Sequence, residues 1–232
     1  MRTQTRGLVV GMVLSCVFLM GLMEAHAAPK AKRLGGDASE VNVGNLIYAG
    51  TKSSKCFSSK FLSVASRETN IVAAKSFKPV KLSKDELFNY PFSVMTGEGL
   101  FSLREEERVN LRAYLNRGGF VLASAGCSSQ EWDQSFRREM KTVFPKIEFK
   151  KIPMDHSIFK TVFDIDKIKL KKDRGVAALE GLEIDGRIVL VYSKEGLNDT
   201  PNAGGGCCCC GGNEVKNSQE INVNVFTYAL TH

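Results

Sequence analysis

Short apolar runs alternate along the chain with stretches whose apolar residues recur at helical spacing. Leu46-Ile47-Tyr48-Ala49 is a continuous apolar run of strand length, residues 70–74 and 92–95 are largely apolar runs of the same kind, and residues 120–125 are apolar almost throughout, as a central parallel strand is. Between them, residues 57–67 are amphipathic, and Val109, Leu111, Tyr114 and Leu115 mark one face of a second helix. Ser102 with Glu105 three residues on has the form of a capping box, and three consecutive acids, Glu105 to Glu107, suit a helix start. Gly118-Gly119 would end that helix. Trp132, Phe136, Met140 and Phe144 predict a third helix, stopped at Pro145, with an apolar face that belongs to the core. A strand over 147–152, a helical turn over 158–163, a hairpin turning at Asp185-Gly186 and a last helix over 218–230 complete the pattern. Alternation of this kind predicts an α/β fold with a mostly parallel central sheet covered on both faces.

The first residues follow a different rule. Arg2 and Arg6 precede an apolar run from Leu8 to Met23, and Ala25-His26-Ala27 follows with small residues where a signal peptidase reads. The run is about 16 residues, short of the ~20 that span a bilayer. Residues 1–27 are therefore expected to be a cleaved signal peptide, which makes the mature protein periplasmic or secreted with no transmembrane segment. A membrane anchor, or a lipid attached at Cys16, is the alternative. Residues 28–42 have the composition of a flexible leader, and 43–232 that of a single domain.

Composition adds two points. The net charge is +7, and the expected signal peptide carries Arg2, Arg6 and Glu24, leaving +6 on the mature chain. The basic residues are scattered and mixed with acids, with no basic-aromatic stripe, so nucleic acid is not an expected partner. Six of the seven cysteines lie beyond the leader, at Cys56, Cys127 and the run Cys207 to Cys210. An even number in an exported chain suggests disulfides.

Several blocks carry a family resemblance. They are Phe88-Asn89-Tyr90-Pro91-Phe92, Thr96-Gly97-Glu98-Gly99, Tyr114 to Phe120, Phe136 to Met140, Asp155-His156-Ser157-Ile158-Phe159, Leu182 to Arg187, and Asn224 to Leu230. In order and spacing the chain over residues 43–231 resembles the bacterial family known as domain of unknown function 4159. The resemblance implies a class I glutamine-amidotransferase-like fold, a flavodoxin-like three-layer sandwich, and no established activity. Where many members carry acidic residues after a strand, this chain has Ser124-Ala125-Gly126-Cys127.

Parallel sheets bind ligands beyond the carboxyl ends of their strands, and four features are expected there: Glu98, Cys127, Asp155-His156 and the cysteine loop. Cys127 between strand and helix stands where a helix N-terminus would favour a thiolate, with His156 as base and Asp155 or Glu98 to orient it; alternatively Cys127 is a disulfide partner. His156 lines a ligand pocket or caps the turn at Ile158. Glu98 between two glycines is a pocket carboxylate or a solvated turn residue. One of Arg137 and Arg138 pairs with a carboxylate near the pocket, or both face solvent. Cys207, Cys208, Cys209 and Cys210 cannot all surround one ion, since neighbours on an extended chain point to opposite faces. Disulfides to Cys56 or Cys127 come first, and zinc or copper bound by part of the run is the alternative. The loop over 194–219 is expected to fold over the pocket mouth beside Cys127.

These features make a ligand- or partner-binding domain of the cell envelope the expected function. A Cys127/His156 hydrolase or transferase and a soft-metal or redox protein are the competing readings.

Overall fold

The computed structural model describes residues 39–172, 175–207 and 212–232. The expected signal peptide, most of the expected leader, and Cys208 to Cys210 lie outside the described residues. Four helices, α1 (Lys60–Glu68), α2 (Glu105–Asn116), α3 (Gln130–Val143) and α4 (Ser218–Thr231), accompany seven strands among the described residues. The strands are β1 (Val43–Ile47), β2 (Lys78–Lys81), β3 (Phe92–Gly97), β4 (Phe120–Ala125), β5 (Lys150–Lys151), β6 (Glu180–Ile184) and β7 (Arg187–Ser193). They form one mixed sheet in the order β2-β1-β3-β4-β7-β6-β5. The first five run parallel, and β6 and β5 extend them as an antiparallel flank.

Successive side chains on a strand point to opposite faces, and this divides the core in two. Phe92, Val94, Phe120 and Leu122 join a cluster with Phe61 and Leu62 of α1 and Ile221, Val225 and Phe226 of α4. Met95, Val121 and Ala123 face the other cluster, with Leu111 and Leu115 of α2 and Trp132, Phe136 and Met140 of α3. Because β4 is buried on both faces, every one of its residues is buried. Among the described residues no helix is long and apolar enough to cross a membrane.

Three local expectations need correction. Residues 70–74 contribute only the bridge Val41↔Ala73, and the neighbouring strand is instead β2. It is an edge strand, Lys78-Pro79-Val80-Lys81, with Val80 alone buried, so no apolar run marks it. Similarly, residues 147–152 supply only the two-residue β5 at the other edge. The helix expected from Ser102 begins at Glu105, because Glu107 accepts the Arg104 N–H at 2.8 Å while Ser102 Oγ bonds Glu139 at 3.0 Å. Glu107 also accepts the Ala49 and Gly50 amides, so one buried carboxylate fixes α2 against the end of β1.

Candidate functional site

Strands β3, β4 and β7 each close an apolar run with a hydroxyl: Val94-Met95-Thr96, Leu122-Ala123-Ser124 and Val191-Tyr192-Ser193. Register places Thr96 beside Ser124, and Ser124 beside Ser193. Neighbours in register share a face, so the carboxyl edge carries a row of three hydroxyls, all essentially excluded from solvent. Thr96 Oγ1 and Ser124 Oγ both donate to Asn198 Oδ1, each at 3.2 Å. Ser193 Oγ is buried without a hydrogen-bond partner, as is Asn222 Oδ1, whose amide group donates to Leu197 O.

Asn198 comes from the segment that leaves β7, and the chain fixes this segment at several points. Glu195 O accepts Ser128 Oγ–H at 2.7 Å, and Ser128 Oγ in turn accepts the Asn213 N–H at 3.0 Å. Ser128 and Cys127 both adopt left-handed backbone, with φ of 56° and 51°, a conformation that costs a non-glycine residue energy unless its surroundings hold it. Gly196, at φ 89°, passes the Ala125 carbonyl where any side chain would collide. Farther along, Ser58 N–H donates to Asn198 O at 2.8 Å, Ser58 Oγ to Asn202 O at 3.1 Å, and Lys60 Nζ to Asn202 Oδ1 at 2.9 Å. These bonds dock the segment on the start of α1. A disulfide between Cys56 and Cys207, 151 residues apart in sequence, closes the arrangement.

Two of the carboxylates of this segment, Glu195 and Glu214, are buried. Glu214 is buried and neutralised by Lys171 Nζ at 2.6 Å, with Thr200 Oγ1 at 2.8 Å. Burial pushes the Glu195 carboxyl above its ordinary range against the partial relief of Lys194, and its Oε2 has no partner.

The residues expected to form the site are divided by the fold. Cys127 lies at the carboxyl edge and is disulfide-bonded, with its partner outside the described residues. Glu98 is at the same edge, solvent-exposed, its stem close to Gly126. Asp155 is exposed. His156 caps the turn at Ser157–Phe159, its Nδ1 accepting the Ile158 N–H at 3.2 Å. Its ring lies against Tyr228, with centroids 5.6 Å apart, beside a cavity of about 220 Å³ lined by Lys150, Glu183, Ile188 and Tyr228. Desolvation first, and His232 second, lower its pKa. Tyr228 is near the end of α4 that meets the start of β7, where Arg187 donates to Ala229 O. Asn222, six residues earlier in α4, meets Leu197, and β7 runs from Ile188 beside the His156 cavity to Ser193 at the carboxyl edge, about 17 Å of strand. The structure therefore does not bring Cys127 and His156 together as the paired nucleophile and base. Cys207 is no thiolate ligand, since its sulfur is bonded to Cys56. Among the described residues no group of three His, Cys, Asp or Glu side chains is placed to hold a metal ion.

Arg137 does pair with carboxylates. It forks onto Glu180 at 2.9 and 2.6 Å, reaches Asp133 at 2.8 Å and lies over the Tyr192 ring, whose hydroxyl donates to Asp133. Burial and the Asp133 bond raise the Tyr192 pKa, so the phenol stays protonated. Arg138 donates to Phe101 O and lies 3.9 Å from the Glu139 carboxylate. The hydroxyl row and Asn198 escaped the reading of the sequence. The available signal was a Ser or Thr ending three apolar strands in turn; only register makes it a site.

Compared with protein families, the chain matches over residues 46–230 the family described as domain of unknown function (DUF4159). No curated protein matches the sequence.

Proposed function

The chain belongs to the DUF4159 family, and on that premise we propose that it is an exported, non-catalytic α/β domain that binds a ligand or partner in the cell envelope at the carboxyl edge of its sheet. One observation carries the reading. The edge where parallel sheets hold ligands offers a row of hydrogen-bonding hydroxyls, Thr96, Ser124 and Ser193, while Cys127 is tied up in a disulfide. Such an edge suits recognition, since the Cys127 sulfur is not free to attack. Export is supported by the signal-peptide pattern of residues 1–27 and by the Cys56–Cys207 bond, a linkage that persists in oxidising compartments. The strand order β2-β1-β3-β4-β7 supports the finer fold reading, flavodoxin-like and glutamine-amidotransferase-like, because doubly wound sheets use this order.

The test is a thermal-shift series on the mature protein, oxidised and reduced, against the metabolite, glycan and lipid fractions of the envelope. A rise in Tm that Thr96→Val and Ser124→Ala variants lose supports the reading. Turnover of an activated ester or of glutamine that Cys127→Ser abolishes overturns it.

A further inference from the structure

The segment that fills the carboxyl edge is poorly held by apolar packing. From Lys194 to Cys207, Leu197 is the one buried apolar side chain. Its other anchors are polar or covalent: the Glu195, Gly196 and Leu197 carbonyls accept from Ser128, Val215 and Asn222, Asn198 contacts Thr96, Ser124 and Ser58, Thr200 bonds Glu214, Asn202 contacts Ser58 and Lys60, and Cys207 is bonded to Cys56. Asp199 sits in left-handed backbone at φ 50°. Three successive glycines, Gly204, Gly205 and Gly206, precede the bond at φ 72°, 63° and 75° with no neighbouring atom near the place of a side chain. That is a hinge in open space. At one end of the segment a carboxamide oxygen satisfies two buried hydroxyls; at the other a half-buried disulfide prevents departure.

We propose that residues 197–202 are an internal pseudo-ligand, latched over the binding edge by Cys56–Cys207, and that a dithiol reductant unlatches them. The true ligand then presents a carboxamide or carboxylate oxygen to the Thr96 and Ser124 hydroxyls in place of Asn198. The inference rests on the binding reading above and adds its regulation and the chemistry of the ligand. In the exchange, one thiolate of the reductant attacks a sulfur of the Cys56–Cys207 bond and forms a mixed disulfide, releasing the other cysteine as thiolate, which takes a proton. The second thiol of the reductant loses its proton and displaces the remaining cysteine. The reductant leaves as its disulfide, two electrons poorer, and Cys56 and Cys207 end as thiols. Removal of the covalent tie leaves the segment held by individual hydrogen bonds through Leu197, Asn198, Thr200 and Asn202, each worth about 1 kcal/mol net.

The experiment compares the mature chain oxidised, the same chain in dithiothreitol, and a Cys56→Ser/Cys207→Ser variant that isolates this bond. Amide hydrogen exchange reads the latch at Ser58, whose N–H donates to Asn198 O. Expected is exchange at Ser58 and across 197–207 that accelerates, in both unlatched forms, about tenfold or more beyond the acceleration of β3 and β4 that follows from the lower global stability. Unchanged exchange at Ser58 overturns the latch. Exchange that rises by the same factor in β3 and β4 as at Ser58 overturns it too, because the bond then acts on the fold as a whole and not on the segment. A second arm uses Asn198→Ala, which vacates the hydroxyls, and the acetylated peptide Gly-Leu-Asn-Asp-Thr-Pro as probe. Binding to the reduced variant, lost when the peptide Asn becomes Leu, supports the ligand class; absence of binding overturns it. Failure of either arm leaves a Tm shift with envelope fractions standing, so the broader binding reading fails separately.

Discussion

Asn198 is the residue on which the carboxyl edge depends. Its side-chain oxygen takes two buried hydroxyl protons, and its backbone oxygen takes the amide at the start of α1. Asn198→Ala keeps the backbone bond but leaves both hydroxyls buried without their acceptor, which should lower stability by about 2 kcal/mol. Urea unfolding of oxidised protein checks this; a loss within error would mean that the hydroxyls find other acceptors. His156 gives a prediction in pH. Its cap on the Ile158 amide requires an unprotonated Nδ1, and burial lowers its pKa from the ordinary 6.5. The folded chain therefore binds this proton less readily than the unfolded chain. The His156 contribution is fully present above pH 6.5 and is lost as pH falls through the lowered folded value. Asn caps helical turns without titrating, so His156→Asn should flatten this part of the stability–pH curve while leaving stability at pH 8 nearly unchanged. Urea midpoints across pH 5 to 8 measure it, and an undiminished slope in the variant would assign the dependence to other groups.

Among the elements, the two sheet edges share one device. β2 carries Lys78, Pro79 and Lys81, and β5 consists of Lys150 and Lys151, all exposed except for the intervening Val80. Edge strands offer unpaired backbone groups to other chains, and lysine, proline and short length discourage that pairing. These lysines account for part of the basic excess without any anionic partner. Replacing Lys150 and Lys151 by Val should leave the monomer folded but raise its tendency to associate, visible as light scattering at concentrations where the natural chain stays clear. Unchanged scattering would mean that the shortness of β5 alone protects this edge. Helix α4 shows a different economy: residues 221–229 are all buried, because the helix lies between α1, the turn after His156 and the sheet. A helix covered on all sides carries no single polar stripe, which is why Asn222 and Asn224 sit inside it and bond to neighbouring loops.

At the scale of the molecule, the Cys56–Cys207 bond spans 151 residues and ties the start of α1 to the segment over the sheet edge. A cross-link of such span restricts the unfolded chain, and its removal typically costs about 2–5 kcal/mol. Cys56→Ser/Cys207→Ser should lower Tm accordingly and leave the far-ultraviolet circular dichroism intact. A variant with unaltered Tm would show that the segment is held as well without the bond. The Arg137, Asp133, Glu180 and Tyr192 group works on the opposite face, joining α3 to β6 and β7. It anchors the antiparallel flank to the parallel part of the sheet.

Continuous apolar runs at 92–95 and 120–125, helical spacing from Trp132 to Phe144, and the Asp185-Gly186 turn were sufficient to set the α/β class, because burial and turn geometry act through neighbours in sequence. Disulfides between the cysteine run and Cys56 or Cys127 were legible as possibilities for the same reason: the count of cysteines and the leader speak without coordinates. Their pairing was not. Nor was the separation of Cys127 from His156, since the loop after β5 turns back along the sheet toward the far end of α4, a path fixed by Ile158, Phe159 and Tyr228 packing into one cluster. The edge strands stayed hidden because an edge has little to bury and leaves no apolar run. Most of all, Thr96, Ser124 and Ser193 stand far apart in the chain and unremarkable one by one. Only parallel pairing in register lines them up, and only the return of the chain after β7 sets Asn198 against them. Contacts of that kind are decided by long-range packing, to which local pattern is blind.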